Sequence, residues 1–291
     1  MEPTPTDDET VCEFVSSRGI LKSCDRHNPT PQSSSDFLDP AIYSNLPKGS
    51  TVYVCTEAIQ KFVTLYLPQA QGPVTVVSGD SDLSFTGPAP FLDHPNIKHW
   101  WAQNCAFEHP RLSPIPIGLD YHTVAKQDHP WGPKMTPRQQ EQQLKFLATI
   151  VPDWSRREQQ AYANYLVNLS RGNRQAAFQE TPRDLVLYES QFVPRQITWW
   201  KQASAVFTIS PHGNGLDCHR TWETLALGGI PIVQTSVLDT LYEGLPVLIL
   251  RKWSDLSSNL LKETLQAFQQ QSFDFQRLTL KYWISKIKAS S

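Results

Sequence analysis

The sequence predicts an α/β protein with two doubly wound domains, and three observations support this fold class. The chain has 291 residues, a length that suits one large domain or two ordinary ones. Short apolar runs alternate with segments of helical spacing, in two successive series along the chain. Between the series lies HPWGPKMTP at 129–137, which is rich in Pro and Gly. We therefore predict a first domain at 1–130, a second at 131–272, and a helix at 273–291 that packs back on the first domain.

The first series follows a Pro- and Ser-rich loop at 28–35. Apolar runs of strand type at 51–54 and 74–78 are each bounded by turn residues, and 57–67 between them has helical spacing. This β-α-β order favours parallel strands with covering helices.

The second series begins after a predicted helix at 139–150. We predict strands at 162–169, 184–188, 205–209, 230–234 and 246–250, and helices at 173–179, 194–202 and 216–227. Two amphipathic helices, at 257–270 and 273–286, end the chain. Ligands of doubly wound folds bind outside the carboxyl ends of the strands, so we expect a cleft between the two domains.

The composition excludes several classes of protein. Lys and Arg number 26 against 28 Asp and Glu, and this near-neutral balance argues against a nucleic-acid partner. No apolar run approaches the ~20 residues of a membrane span, and the acidic start MEPTPTDDETVCEF differs from a signal peptide. The five cysteines lack CxxC pairing. We expect a soluble, cytoplasmic protein with reduced thiols.

The stretch SPHGNGLDCHRTWE at 210–223 follows a predicted strand and opens a helix. Gly213 and Gly215 can adopt positive φ and let a ligand approach the backbone. The free N–H groups and dipole of the helix favour an anion such as a diphosphate, which Arg220 could clamp. Glu223 could accept hydrogen bonds from a ribose diol. The alternative is a tight turn followed by an exposed Arg220–Glu223 pair.

The longer block SPHGNGLDCHRTWETLALGGIPIV at 210–233 resembles the carboxy-terminal signature of exostosin-type (family 47-type) glycosyltransferases. The resemblance is strongest to the short single-chain enzymes of microbes and large algal viruses. Five further segments occur in the order expected for that family: SSRGILKSCDRHN (16–28), VVSGDSD (76–82), WWAQNC (100–105), IPIGLDYHT (115–123) and VNLSRGNR (167–174).

The resemblance implies a GT-B glycosyltransferase, in which two Rossmann-like domains face each other across a cleft. The second domain would bind the nucleotide-sugar donor, and the first an oligosaccharide or other glycan acceptor. The donor residues implied are Arg171, Arg174, Ser210, His212, Gly213, Asn214, Gly215, Asp217, Arg220 and Glu223. UDP-xylose is the first choice of donor, with UDP-glucuronate, UDP-galactose and UDP-N-acetylglucosamine left open. For a viral enzyme, the location would be the viral or host cytoplasm.

An inverting transfer needs one base that deprotonates the acceptor hydroxyl. Asp80 follows the run at 74–78, so it is expected to project from the carboxyl end of a strand into the cleft. Asp80 is our first choice for the base and Asp82 the second. The alternative for both aspartates is a loop-capping turn.

Six further residues are predicted to line the acceptor side of the cleft: Ser17, Arg18, Gln103, Asn104, Asp120 and His122. Arg18 is placed in a polar turn after a first strand, where a surface salt bridge is the alternative role. Gln103 and Asn104, beside two tryptophans, suggest a sugar-binding patch, although such aromatic residues are often part of a core. His122 could orient a hydroxyl or the base, or could be structural.

No metal or cofactor is expected. His212, Cys218 and His219 lie close in sequence, but adjacent residues of a helix diverge by about 100°, which disfavours one shared ion. Arginines and the helix dipole can replace a cation at a diphosphate, although Asp80 and Asp82 do form a D-x-D triplet.

A retaining transferase and a non-catalytic module that binds a glycan or nucleotide-sugar remain alternatives. A dinucleotide-dependent oxidoreductase is disfavoured because neither series opens with G-x-G-x-x-G.

Overall fold

The computed structural model describes residues 8–86, 89–168 and 171–291. It confirms the α/β fold class, because two sheets of parallel strands alternate with helices along the chain. The first sheet contains β1 (Thr51–Cys55), β2 (Val74–Gly79), β3 (Ile97–Ala102) and β4 (Leu112–Pro114). The second sheet contains β5 (Ala161–Ala163), β6 (Val186–Tyr188), β7 (Phe207–Ile209), β8 (Ile230–Gln234) and β9 (Leu248–Leu250).

The two sheets differ in strand order. The first follows the chain as β1-β2-β3-β4, and the second has the order β6-β5-β7-β8-β9. The direction of winding therefore reverses between β5 and β7. Such a reversal leaves a crevice outside the carboxyl ends of the two strands, and this crevice is where open α/β sheets bind ligands.

Eleven helices are found in the described part of the chain. They are α1 (Ser17–Ser23), α2 (Pro40–Tyr43), α3 (Ile59–Lys61), α4 (Ala89–Leu92), α5 (His122–Lys126), α6 (Pro137–Ile150), α7 (Arg174–Glu180), α8 (Arg195–Ser204), α9 (His219–Ala226), α10 (Ser258–Gln269) and α11 (Leu280–Ala289). The predicted helix at 57–67 is irregular, because α3 continues into a π-type turn at Phe62–Tyr66. None of the described helices is both long and apolar enough to cross a membrane.

One hydrophobic core extends from the first sheet to α6, α8 and α9, and a second core lies on the other face of the second sheet. The final helix α11 belongs to the first core through buried Trp283 and Ile287. Just after α11, the Ser290 carbonyl accepts a hydrogen bond from Thr75 Oγ1 at 2.9 Å. The chain end is thereby attached to the first sheet.

Candidate donor-binding cleft

A cleft of about 630 Å³ opens at the reversal point of the second sheet. Its wall includes Asn164, which follows β5, and the turn at 213–215, which follows β7. From the first half of the chain, Asp82 and Ile117 also line it. The cleft therefore lies where the strand order predicts a ligand and is bounded by both halves of the protein.

The turn after β7 is longer than predicted, because α9 begins at His219 rather than at residue 216. Within the turn, the Gly213 N–H donates to the Gly215 carbonyl at 3.1 Å. Neither glycine has positive φ, which corrects the reason given for them above. Close packing explains them instead: a Cβ on Gly213 would lie 2.6 Å from Arg174 Nη2, and one on Gly215 would lie 2.7 Å from Asn104 Nδ2.

A second segment packs directly on this turn. Gly172 has φ of +83°, and a Cβ there would overlap the carbonyl oxygens of His212 and Gly213. The Asn173 N–H donates to the His212 carbonyl at 3.2 Å. This contact brings Arg174 to the cleft, whereas Arg171 is exposed and is not among the described lining residues. Leu169 and Ser170 of the same motif lie outside the described residues.

Two arginines that line the cleft, Arg174 and Arg220, have donors without partners among the described residues. Arg220 uses its Nε for the Asn164 carbonyl at 3.1 Å. Its Nη1 and the Nε of Arg174 are buried and have no hydrogen-bond partner within the described ranges. Burial lowers the pKa of Arg220, and the nearby charge of Arg174 lowers it further. Two neighbouring cations with unused donors form a site that favours an anion.

Glu223 lines the same cleft one turn further along α9. Its Oε1 lies 3.9 Å from Arg195 Nε, a contact too long to satisfy the carboxylate. Arg195, which sequence reasoning missed, also donates to the Asp120 carbonyl at 2.7 Å and stacks over Trp131, with 4.6 Å between its guanidinium carbon and the ring centroid. Arg195 therefore joins the two halves beside the cleft.

Gln202 is a second residue that sequence reasoning missed. Arg195, Thr198 and Gln202 all line the cleft from one face of α8, at positions i, i+3 and i+7. Gln202 is only 1% exposed, yet neither amide atom has a hydrogen-bond partner among the described residues. Buried amides normally bind a partner, so this one is available to a ligand or to water. The signal in the sequence was the polar i, i+3, i+7 spacing.

Asp80 is not where the prediction placed it. Its carboxylate is buried against Ser33 Oγ at 2.8 Å and Arg18 Nη2 at 3.5 Å, and Asp80 is not among the described residues that line the cleft. Its φ of +51° turns it out of line with β2. Burial raises the pKa of Asp80, and the charge of Arg18 opposes this rise. The geometry is that of a buried ion pair.

Asp82 is exposed and does line the cleft, where Asn214 Nδ2 approaches its Oδ2 at 3.4 Å. The two aspartates of the D-x-D triplet thus have different surroundings. Across the described residues, no group of three or more His, Cys, Asp or Glu side chains is arranged to hold a metal ion.

Arg18 lies on helix α1, which corrects its placement in a turn after a strand. The helix forms because Ser16 Oγ accepts a hydrogen bond from the Gly19 N–H at 3.0 Å and caps its start. Both Ser17 and Arg18 are buried within α1, and Arg18 bonds Ser33 Oγ at 3.1 Å. The surface salt bridge considered for Arg18 is therefore a buried one.

The expected sugar-binding patch at Gln103 and Asn104 is corrected, because both side chains are buried and make hydrogen bonds within the protein. Gln103 Nε2 donates to the Ser81 carbonyl at 3.3 Å, and Asn104 Oδ1 accepts from the Asp217 N–H at 2.8 Å. The neighbouring Trp100 is fully buried. These residues support the strand ends that form the base of the cleft.

Asp120 and His122 form a buried polar cluster beside the cleft. The Asp120 carboxylate lies 3.4 Å from both His122 Nδ1 and Arg195 Nη2. Burial raises the pKa of Asp120, but His122, His219 and Arg195 together hold it well below its usual range. Burial lowers the pKa of His122 to about 4, so that His122 is neutral at pH 7. Asp120 is therefore a fixed anion whose contacts are mainly internal.

Two predicted donor residues, Asp217 and Ser210, have structural contacts. Asp217 accepts from the Ile117 N–H at 2.8 Å and from Trp222 Nε1 at 2.9 Å, which ties the second half to the first. Ser210 Oγ bonds Thr221 Oγ1 at 2.8 Å across the turn. Ser210 and His212 are not among the described lining residues. These contacts favour a role in shaping the turn over direct contact with a donor.

Comparison with known proteins yields little. No family model and no curated protein matches the chain. Among solved structures, the chain is similar to a UDP-forming α,α-trehalose-phosphate synthase from Burkholderia xenovorans, with 11% identity, a TM-score of 0.39, and coverage of 83% of this chain and 73% of that one. A likeness this distant decides neither the family nor the function.

Proposed function

We propose that the protein is a glycosyltransferase that binds a nucleoside diphosphate sugar in the cleft. The observation that carries this proposal is the pair Arg174 and Arg220, whose buried donors lack partners in the described chain. Both guanidinium groups belong to the cleft, next to the turn at 213–215 and the start of α9. Guanidinium groups and a helix amino terminus together bind phosphate oxygens well.

The rest of the cleft suits a nucleoside. Glu223 lies one turn beyond Arg220 on α9, and its incompletely paired carboxylate can accept hydrogen bonds from a ribose diol. The free amide of Gln202 offers a donor and an acceptor together, which match the polar edge of a nucleobase. A diphosphate at the arginines and a nucleoside beyond them would give partners to Arg174 Nε, Arg220 Nη1 and the Gln202 amide.

We place the acceptor beside Ile117 and Asp82, which line the cleft from the first half of the chain. We take the transfer to be inverting and the acceptor to be a glycan hydroxyl. The choice of UDP, and of UDP-xylose as the first donor to test, rests on the resemblance to exostosin-type enzymes. We also propose that the arginines, rather than a metal ion, balance the diphosphate charge.

One observation favours a second candidate, a module that binds a nucleotide-sugar without transferring it. Asp80, the base expected from the sequence, is buried against Arg18 and is not among the described lining residues of the cleft. Such a module would bind UDP as tightly as an enzyme would, yet it would neither hydrolyse nor transfer the sugar.

A binding panel tests the proposal. The protein is incubated with UDP, GDP or CDP, and then with each common UDP-sugar, with and without EDTA, and its thermal unfolding and slow donor hydrolysis are followed. We expect UDP to raise the unfolding temperature equally with and without EDTA, and one UDP-sugar to be hydrolysed preferentially. Binding without hydrolysis or transfer would favour the module, and the lack of any nucleotide response would reject both candidates.

A further inference from the structure

His219 lines the cleft in a position that the donor-binding groups do not explain. It is the first residue of α9, it is half-buried, and its ring Nδ1 lies 2.7 Å from the Gly118 carbonyl oxygen. A carbonyl oxygen can only accept a hydrogen bond, so Nδ1 must carry the proton. Whenever the ring is neutral, its lone pair therefore lies on Nε2, for which the described residues provide no hydrogen-bond partner.

The backbone that holds this tautomer is rigid. Gly118 has φ of +64°, and a Cβ there would overlap the Val15 carbonyl, so the residue must be glycine. The next residue, Leu119, donates its N–H to that same carbonyl at 2.8 Å. The Gly118 carbonyl is thereby aimed at His219, and it fixes which ring nitrogen can accept a proton.

Asp120 is a buried anion that can stabilise a positive charge on the His219 ring. Asp120 lies two residues beyond Gly118 and is held by Arg195 at 3.4 Å and by the Thr123 N–H at 3.0 Å. The positive charge of a protonated His219 is one of the causes that lower the pKa of Asp120. An imidazolium formed at His219 would thus face both a hydrogen-bond acceptor and a fixed negative charge. This combination is that of a general base oriented by a carbonyl and assisted by a carboxylate.

The position of His219 also fits the reaction. Arg220 is the next residue, so the ring lies beside the proposed diphosphate site, while its contact with Gly118 turns it towards the first half of the chain. A sugar attached to the diphosphate and an acceptor from the first half would meet at this boundary. Asp80, by contrast, accepts from Ser33 Oγ through Oδ1 and faces Arg18, and although its Oδ2 has no hydrogen-bond partner within the described ranges, Asp80 is not among the described residues that line the cleft.

We propose that His219, rather than Asp80, is the general base of the transfer, an inference that rests on the proposed function. Nε2 takes the proton of the acceptor hydroxyl while the acceptor oxygen forms its bond to the anomeric carbon. The bond from that carbon to the phosphate oxygen breaks, and its electron pair leaves with the nucleoside diphosphate. The proton on the imidazolium is then released to solvent.

The test compares His219→Gln and His219→Ala with wild type, and uses His99→Gln as a matched control. His99 is a histidine on β3 that bonds Ser113 Oγ at 2.9 Å and is not among the described cleft residues. Release of UDP is measured from the UDP-sugar that wild type prefers, with water and then a p-nitrophenyl glycoside as acceptor. UDP affinity is measured on the same samples by calorimetry.

We expect both His219 variants to lose about 10²- to 10⁴-fold in kcat while UDP affinity stays within about threefold of wild type. Added imidazole should restore part of the rate of His219→Ala, and the control should keep its full rate. Wild-type rates in His219→Gln, with activity lost instead in Asp80→Asn, would overturn the proposal. So would a parallel loss of UDP affinity without rescue by imidazole. A wild-type protein that binds UDP but never transfers sugar would instead reject the proposed function itself.

Discussion

At the scale of single residues, the cleft contains polar groups that the protein positions but does not pair. Arg174 Nε, Arg220 Nη1 and the Gln202 amide are buried and without partners in the described structure. Each such group costs free energy in the folded state unless a ligand or water binds it. Their collection in one cleft makes ligand binding the simplest explanation for all three.

Arg220→Ala is expected to weaken UDP binding by roughly 1–3 kcal/mol, because it removes charge-assisted hydrogen bonds to the diphosphate. Calorimetric titration of UDP measures the change. Arg156→Ala is the matched control, since Arg156 is 73% exposed and only loosely paired with Asp153 at 4.0 Å. If both variants bound UDP like wild type, the diphosphate would have to lie elsewhere.

Gln202→Met is expected to raise the free energy of unfolding by about 1 kcal/mol, since an apolar side chain of similar size replaces an unpaired buried amide. The same substitution should weaken UDP binding. Gln140→Met is the control, because the equally buried Gln140 is fully bonded, with its Nε2 donating to the Tyr121 carbonyl at 2.9 Å, and its loss should destabilise the protein. Chemical denaturation compares the two variants, and a destabilised Gln202→Met would show that the amide has a structural partner.

Glu9 makes stability depend on pH. It is 3% exposed, and burial raises its pKa from the ordinary 4.5 to about 7. Between these values the native state binds more protons than the unfolded chain, so this residue's contribution to stability is lost as pH rises through the window. Glu9→Gln avoids the buried charge and can still accept the Ser16 hydrogen bond.

The stability gained by Glu9→Gln over wild type should therefore be small at pH 4.5 and should reach the order of 2–3 kcal/mol at pH 8. Urea unfolding at both pH values measures it. Glu263→Gln, an exposed carboxyl that accepts from Asn259 at 2.7 Å, serves as control and should show no such trend. An equal gain at both pH values would mean that burial does not raise the pKa of Glu9 above its value in the unfolded chain.

At the scale of elements, the sequence predicts best the strands that are buried on both faces. β1 and β2 are buried at every position and read as continuous apolar runs. β3 was missed because Lys98 and His99 interrupt its apolar residues, and β4 because its sequence, Leu-Ser-Pro, contains a polar residue and a proline that cannot donate to a strand ladder. The start of α9 was placed too early, because the Asp217 N–H bonds Asn104 Oδ1, a contact distant in sequence that no local pattern reveals.

The residues of the candidate site were likewise predictable only where a local sequence pattern marks them. The local signals of the turn and α9 indicated Arg220 and Glu223, the family resemblance implied Arg174, and all three line the cleft. The direction of Asp80 was not predictable, because it depends on a left-handed backbone and on the buried partner Arg18. Single-sequence patterns show which residue types follow a strand, but not which of them the tertiary structure turns inward.

Gly172 packs against the turn at 213–215, and substitutions there test whether this contact supports UDP binding. Gly172→Ala introduces both positive-φ strain and an overlap with the backbone of the turn, so it should displace Arg174 and weaken UDP binding at least about tenfold. Gly49→Ala isolates the strain, because Gly49 has φ of +78° and nothing within 4 Å of an added Cβ.

Gly49→Ala should lose about 1–2 kcal/mol of stability and keep its UDP affinity. The comparison requires unfolding curves and UDP titrations of both variants. If Gly172→Ala resembled Gly49→Ala in both measurements, the close contact with the turn would have no bearing on the donor site.

At the scale of the whole molecule, the two sheets are joined at the base of the cleft. Asp217 bonds the Ile117 N–H, His219 bonds the Gly118 carbonyl and Arg195 bonds the Asp120 carbonyl. All of these contacts connect residues after β4 with the second half of the chain. The groups assigned to donor binding and those assigned to acceptor activation are thus held in one framework, and nucleotide binding is the property on which every further assignment depends.

Calorimetric titration of wild-type protein with UDP and with uridine, in EDTA and again in magnesium, tests this property most directly. If the arginine pair recognises the diphosphate, as proposed, UDP should bind at least about tenfold more tightly than uridine and equally well in both buffers. Equal affinity for UDP and uridine, or no binding of either, would contradict the account.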